Sequence, residues 1–199
     1  MKIVIVGANG TVGRHVVQEF VSKHEVVKVG KKTGDFHVDL ENPESITRLF
    51  KEVGNFDALV CTAGEVAFAP FSNLTSDHWK TSFQSKLSGQ IQLVHQAIPH
   101  IHAGGSFTLI SGILSEEYIK AGVIATTVNR AIEGFVQATA CELPQGLRIN
   151  VVSPTLLKDS VDNYGDFFPG FAPVDGKKVA EAFKKAVLGV ETGRIYKVI

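Results

Sequence analysis

The chain is poor in sulfur and carries no excess of charge. Its 199 residues include two cysteines, one methionine and one tryptophan, and 20 Lys+Arg balance 20 Asp+Glu. A net charge of zero argues against an electrostatic nucleic-acid binder, which presents a basic face or a domain pI above about 9. Cys61 and Cys141 stand far apart, so no disulfide framework is expected. Both lie in apolar stretches and read as buried free thiols of a reducing compartment. No apolar run approaches the roughly 18 residues of a membrane span. The opening run Ile3–Val6 meets glycine at once, too soon for a signal peptide, and a cytoplasmic location is expected. The seven histidines show no ligand spacing, and His95, His100 and His102 are expected to face solvent. Asp159, Asp162 and Asp166 lack the glycine and glutamate of a calcium loop and read as solvated, so no metal is expected.

What is present is apolar and alternating. Hydrophobic residues make up 44% of the chain, enough for the core of one domain over residues 1–199. Short β-rich runs are expected at Lys2–Val6, Glu25–Val29, Phe36–Val38, Asp57–Cys61, Ser106–Ile110, Leu147–Val152 and Arg194–Val198. Helical spacing fills the gaps, over Thr11–Lys23, from Pro43, over Thr75–His102, Gly122–Glu142 and Asp175–Leu188. Asn42-Pro43-Glu44 is a helix start, with a capping side chain, proline at the first position and an acid for the dipole. Strand alternating with helix about seven times predicts an α/β fold: one doubly wound parallel sheet of the Rossmann type, helices on both faces.

Gly7-Ala8-Asn9-Gly10-Thr11-Val12-Gly13 joins the first strand to the first helix. In that context G-x-x-G-x-x-G is a dinucleotide fingerprint. Gly7 permits the tight turn, Gly10 lets backbone amides approach a pyrophosphate, and Gly13 lets the helix pack closely on the sheet. Asn9, Thr11 and Val12 supply the backbone between them, and the helix N-terminus favours the anion. The second strand ends in Val27-Lys28-Val29-Gly30-Lys31-Lys32, without the acid that usually holds an NAD ribose. Lys31 and Lys32 either pair with a 2′-phosphate, favouring NADP over NAD, or are solvated surface lysines.

From Gly7 to Ile199 the order of motifs resembles the short-chain dehydrogenase/reductase family. Asp39-Leu40 is similar to the element that contacts adenine, and Ala63-Gly64 keeps half of an Asn-Asn-Ala-Gly element. Phe107–Gly112 resembles the strand ending in the catalytic serine, here Ser111. Asn129–Phe135 resembles the helix segment after the catalytic tyrosine. Leu147–Pro154 resembles the element on the nicotinamide side, placing Pro154 there, and Thr192–Ile195 the run into the last strand. The resemblance implies an NADP-dependent oxidoreductase acting on a small carbonyl or other hydride acceptor. It also implies a homodimer or homotetramer through Lys86–His102 and Gly122–Glu142.

The departures concern the chemistry. The family's Tyr-x-x-x-Lys pair shares one helix face, and alignment on Ala131 and Gly134 puts Ala125 and Asn129 in its place. Alanine gives no proton and asparagine brings no charge. The alternative is therefore a non-catalytic NADP(H)-binding sensor or regulatory protein. Ser111 either donates to a substrate oxygen or caps a turn. Lys86 resembles the place of a helix asparagine that completes the family's proton relay; it either reaches the cofactor ribose or is a snorkelling surface lysine. Asn129 either bonds a ribose hydroxyl or satisfies backbone. Tyr118 either enters the site or packs in its loop. Phe167-Phe168-Pro169-Gly170-Phe171 is either an apolar lid or a hydrophobic edge on the core.

Overall fold

Strands of this chain are short, β-branched and buried on both faces, which only a sheet covered on both sides accommodates. The computed structural model describes residues 1–199. Its strands are β1 (Lys2–Val6), β2 (Glu25–Gly30), β3 (Phe36–His37), β4 (Phe56–Cys61), β5 (Ile101–Ile110), β6 (Arg148–Pro154) and β7 (Ile195–Val198). They form one parallel sheet in the order β3-β2-β1-β4-β5-β6-β7. Consecutive β3 and β4 are thrown to opposite sides of β1. A crevice therefore opens at the C-terminal ends of β1 and β4, where ligands of such sheets bind.

The principal helices are α1 (Thr11–Phe20), α2 (Pro43–Val53), α3 (Ser76–Ser82), α4 (Gly89–Ala97), α5 (Val123–Thr139), the short α6 (Val161–Tyr164) and α7 (Gly176–Leu188). On one face of the sheet Leu49 and Phe50 of α2, Leu93 of α4, and Val128 and Ile132 of α5 bury against Val4, Leu59, Phe107, Leu109 and Val151. On the other, Val16 and Phe20 of α1 and Val179 and Phe183 of α7 cover Ile3, Ile5, Val60 and Val152. Residues alternate between the two cores along each strand, as the pleat requires. Caps follow the sequence: Asn42 accepts from the amides of Glu44 and Ser45, and Asp175 from that of Lys177.

Four expectations are corrected. The helical stretch does not reach His102: α4 ends at Ala97, and Ile101 opens β5 opposite Phe56. Gly104-Gly105 lie inside that strand, near the register shift against β4 between Phe56 and Ala58. Apolar spacing alone does not separate a helix end from a buried strand start. Cys141 is exposed, because α5 closes at Thr139 and the cysteine falls in the following turn. His100 is not solvent-facing; it stacks on Phe50 with ring centroids 5.9 Å apart. Asp159 is not a free solvated acid, but bonds Arg14 at 2.8 Å and His15 at 2.5 Å.

No helix is long and apolar enough to cross a membrane. No group of three or more His, Cys, Asp and Glu side chains is placed to hold a metal ion.

Candidate active site

The crevice is built from the loops leaving β1, β4, β5 and β6. At β1 the chain turns through Gly7 into α1, whose N-cap, Gly10, provides no side-chain cap. The first-turn amides are thus left for an incoming anion. A Cβ on Gly13 would overlap the Gly7 carbonyl, so only glycine lets α1 seat here. Thr62 ties β4 to this turn, donating to the carbonyls of Val6 at 3.0 Å and Gly7 at 3.1 Å. The Asn9 side chain donates to Thr33 Oγ1 at 2.9 Å and so pins the loop after β2. Thr11 and Val12 open the helix beside it.

Beyond the turn a small cavity of about 100 Å³ is bounded by Gly7, Lys31, Asp39, Leu40, Ala63 and Gly64, among others. Lys31 lies 3.4 Å from Asp39 Oδ1 and 3.7 Å from Glu41 Oε1. Asp39 raises the proton affinity of Lys31, fixing its charge at this edge. Lys32 is exposed and does not border the cavity, so the two lysines are separated.

Gly64 and Glu65 also border a larger cavity of about 600 Å³, which continues the groove. It is bordered by Lys86, Ser111, Asn129 and Pro154, and by the aromatic side chains of Phe68, Tyr164 and Phe168. Lys86 stands on a π-helical turn, Phe83–Ser88, between α3 and α4. It is part-buried and not a surface lysine; its Nζ donates to the Ser111 carbonyl at 3.1 Å. Burial lowers its pKa to about 8, against a smaller opposing effect of Cys61. Burial also pushes the Cys61 thiol up to about 12, so this cysteine stays protonated and unreactive.

Sequence reasoning missed Glu133. Ala125, Asn129 and Glu133 recur at four-residue intervals on one face of α5 and are all buried. A lone acid on that buried face was the available signal. The Ser111 hydroxyl donates to Glu133 Oε1 at 2.8 Å, so its single proton is spent inside the protein. Asn129 Nδ2 donates to the Gly112 carbonyl at 3.3 Å, while its Oδ1 is buried without a partner. Buried polar atoms are rarely left so, and Asn129 is among the residues that border the large cavity. Ala125 lines the same cavity.

Tyr118 is 73% exposed and borders neither cavity, so it neither enters the site nor packs in its loop. Phe168 borders the large cavity and meets Phe171 edge-on at 5.3 Å. Phe167 and Tyr164 approach Phe68 at 6.2 and 6.4 Å. The aromatic segment thus serves as cavity wall and packed edge together.

Over residues 1–184 the chain matches the family described as enoyl-(acyl carrier protein) reductase. It belongs to the short-chain dehydrogenase/reductase family. Such oxidoreductases bind a nicotinamide dinucleotide and act on small molecules. Their seven-stranded Rossmann sheet is the one seen here. The protein lin1944 of Listeria innocua superposes with a TM-score of 0.99 at 42% identity, covering 100% of both chains. A small-chain dehydrogenase in complex with NADPH superposes at 0.89 with 23% identity, covering 100% of this chain and 96% of that one. Hydroxynaphthalene reductase arp2 of Aspergillus fumigatus is 26% identical over 160 residues, 75% of this chain and 59% of that relative. The chain spans about half the length of the first curated relatives it matches, 42% and 59%.

The residues present fit a dinucleotide. The uncapped start of α1 suits a pyrophosphate, the small cavity beside Leu40 an adenosine, and the unpartnered Asn129 Oδ1 a hydroxyl donor.

Proposed function

We propose that this protein is an NADP(H)-dependent oxidoreductase with a non-standard active site, reducing a small carbonyl or other hydride acceptor. One observation carries the reading: Lys86 and Asn129 border the same large cavity, and burial brings the Lys86 pKa near 8. When bound, reduced nicotinamide supplies the hydride. The protein's own task is then to orient the acceptor and to meet the charge that develops on its oxygen. Lys86 does the second. It is a general acid whose pKa lies close to working pH, where proton transfer is most effective. Ser111 has no proton to spare in this geometry; it braces β5 against Glu133 of α5 and presents lone pairs. With a dinucleotide bound, Asn129 Oδ1 would accept from a ribose hydroxyl and Pro154 would stand on the nicotinamide side. Phe68, Tyr164 and Phe168 give the acceptor an apolar wall.

The exchange of residues supports this reading. The resemblance puts asparagine at position 86 and lysine at 129 in the family, and here Lys86 and Asn129 stand the other way round. The cation stands at position 86 instead of 129, and both positions border the large cavity. Ala125 favours the second reading, a non-catalytic NADP(H) sensor, because no phenol stands behind that cation. Following NADPH consumption across a panel of carbonyls, quinones and activated alkenes separates the two. Turnover on any class supports the oxidoreductase; tight binding with no turnover on all of them leaves the sensor.

In this reading Lys31 holds the 2′-phosphate and Lys32 does not. Lys31→Ala is expected to weaken NADPH about tenfold and leave NADH unchanged, a charge-assisted hydrogen bond being worth about 1.5–3 kcal/mol. Lys32→Ala should move neither affinity by more than about twofold, as for other exposed charges. Fluorescence titration of both nucleotides checks this. We also propose a homodimer or homotetramer. The groove lined by Ile91, Val94 and Ile98 of the α4 region and Phe135 of α5 supports it, and sedimentation measures it.

A further inference from the structure

Gln90 borders neither of the two cavities described, yet it is completely buried and both donors of its carboxamide are used. Its Nε2 donates to the Lys86 carbonyl at 3.1 Å and to the Ile110 carbonyl at 3.0 Å. Its Oε1 accepts from the Ile110 amide at 3.0 Å. The side chain therefore reads both backbone groups of the last residue of β5, as a neighbouring strand would. It does so on a carboxamide borne by the first turn of α4. The next residue, Ser111, is the one whose carbonyl receives Lys86 Nζ.

These bonds close a ring. One end of Lys86, its main-chain carbonyl, is held by Gln90; the other end, its ammonium, is held by Ser111. Both holders are fixed to the same strand tip. Gly64, with φ +131°, presses on the same stem so closely that a Cβ there would lie 2.8–2.9 Å from the Cα, Cβ and Cγ of Lys86. The π turn matters because it breaks the α-helical register: the Gly89 amide donates to Gln84, five residues back. Such widened turns are re-aiming devices, frequent at functional sites. Without an anchor a lysine stem rotates freely toward water.

We propose that Gln90 is a positioning residue of this site: its carboxamide locks the π turn onto the tip of β5 and so holds the Lys86 ammonium in the large cavity. The proposal rests on the reading of Lys86 as the working cation. The titratable group that acts on that ammonium is Cys61 of β4, and Glu65 of the following loop borders the same cavity. From α5, Glu133 is engaged by Ser111. None of them is altered by a change at Gln90.

The test is Gln90→Met, similar in length and without hydrogen bonds, with Lys86 followed directly by NMR of protein labelled with [ε-¹³C]lysine. Lys86→Arg assigns the signal. The full chain is titrated with and without NADPH. The wild-type signal is expected to titrate near 8. In Gln90→Met it should move up by about one unit or more, as the released ammonium reaches water. NADPH affinity should change by less than about threefold, and kcat on any accepted substrate should fall about tenfold or more. Gln90→Asn, which keeps the amide but stops a methylene short, gives the same test if the methionine variant does not fold. A folded variant in which Lys86 titrates as in the wild type overturns the proposal. Failure of the underlying reading looks different: Lys86→Met would keep its turnover while the Gln90 variants still moved the lysine signal.

Discussion

Replacing Lys86 by methionine is expected to make the protein more stable and nearly inactive. The ammonium is held in a part-buried place whose desolvation lowers its pKa from 10.5 to about 8. At about 1.36 kcal/mol per unit, that is a cost of about 3 kcal/mol at neutral pH. Methionine removes the cost but leaves the Ser111 carbonyl without its donor, a loss of about 1 kcal/mol. The net expectation is a gain of about 2 kcal/mol at pH 7, read from the denaturant midpoint. The sign with pH follows from the same shift. Between about 8 and 10.5 the unfolded lysine holds a proton that the folded one has released, so wild-type stability rises with pH across that window. The advantage of the variant therefore shrinks there. Turnover should behave in the opposite way. The wild-type rate falls as pH rises through about 8 and the ammonium is lost, and Lys86→Met lowers kcat by on the order of 10²–10⁴, the usual worth of a general acid. NADPH binding that persists in the variant shows that the loss is chemical.

The second large effect concerns two glycines that the same substitution drives in opposite directions. Both lie inside helices, where alanine is ordinarily worth about 0.5–1 kcal/mol more than glycine. Gly134 faces open space on α5, so Gly134→Ala should stabilise by about that amount. Gly13→Ala meets the backbone carbonyl of Gly7, which cannot yield as a side chain would. Overpacking of this kind costs about 1–3 kcal/mol, and relief requires α1 to shift away from the turn. The amides of that turn then no longer converge on one anion. Gly13→Ala is expected to lose NADPH affinity by about 100-fold or more, equivalent to about 2.7 kcal/mol, while Gly134→Ala keeps it. Thermal unfolding and nucleotide titration of the pair check both signs.

The scaffold was legible because its signals are periodic and local. The capping set Asn42-Pro43-Glu44 marked the start of α2, and the three glycines of the first turn marked the crevice. Doubly buried runs such as Leu59–Cys61 announced a parallel sheet. The site was legible only residue by residue. Ser111, Lys86 and Asn129 do come together around one cavity, but their roles depend on partners distant in sequence. Glu133, which accepts from the Ser111 hydroxyl, is 22 residues away from it. Gln90 clasps Ile110 across 20 residues, and nothing in helical spacing distinguishes it from a surface glutamine. The π turn was hidden too, since one inserted residue leaves the apolar pattern of α3 and α4 nearly intact. Lysines are read as solvated by habit, and the seating of Lys86 under Gly64 overrides that habit only in three dimensions.

The central claim is that the first turn of the sheet grips a phosphorylated nicotinamide dinucleotide. Titration of the wild-type chain with NADPH, followed through the nicotinamide emission, tests it most directly. Saturable binding with enhanced, blue-shifted emission that Gly13→Ala abolishes is the predicted result. No association of either NADPH or NADP⁺ at millimolar concentration would contradict the account.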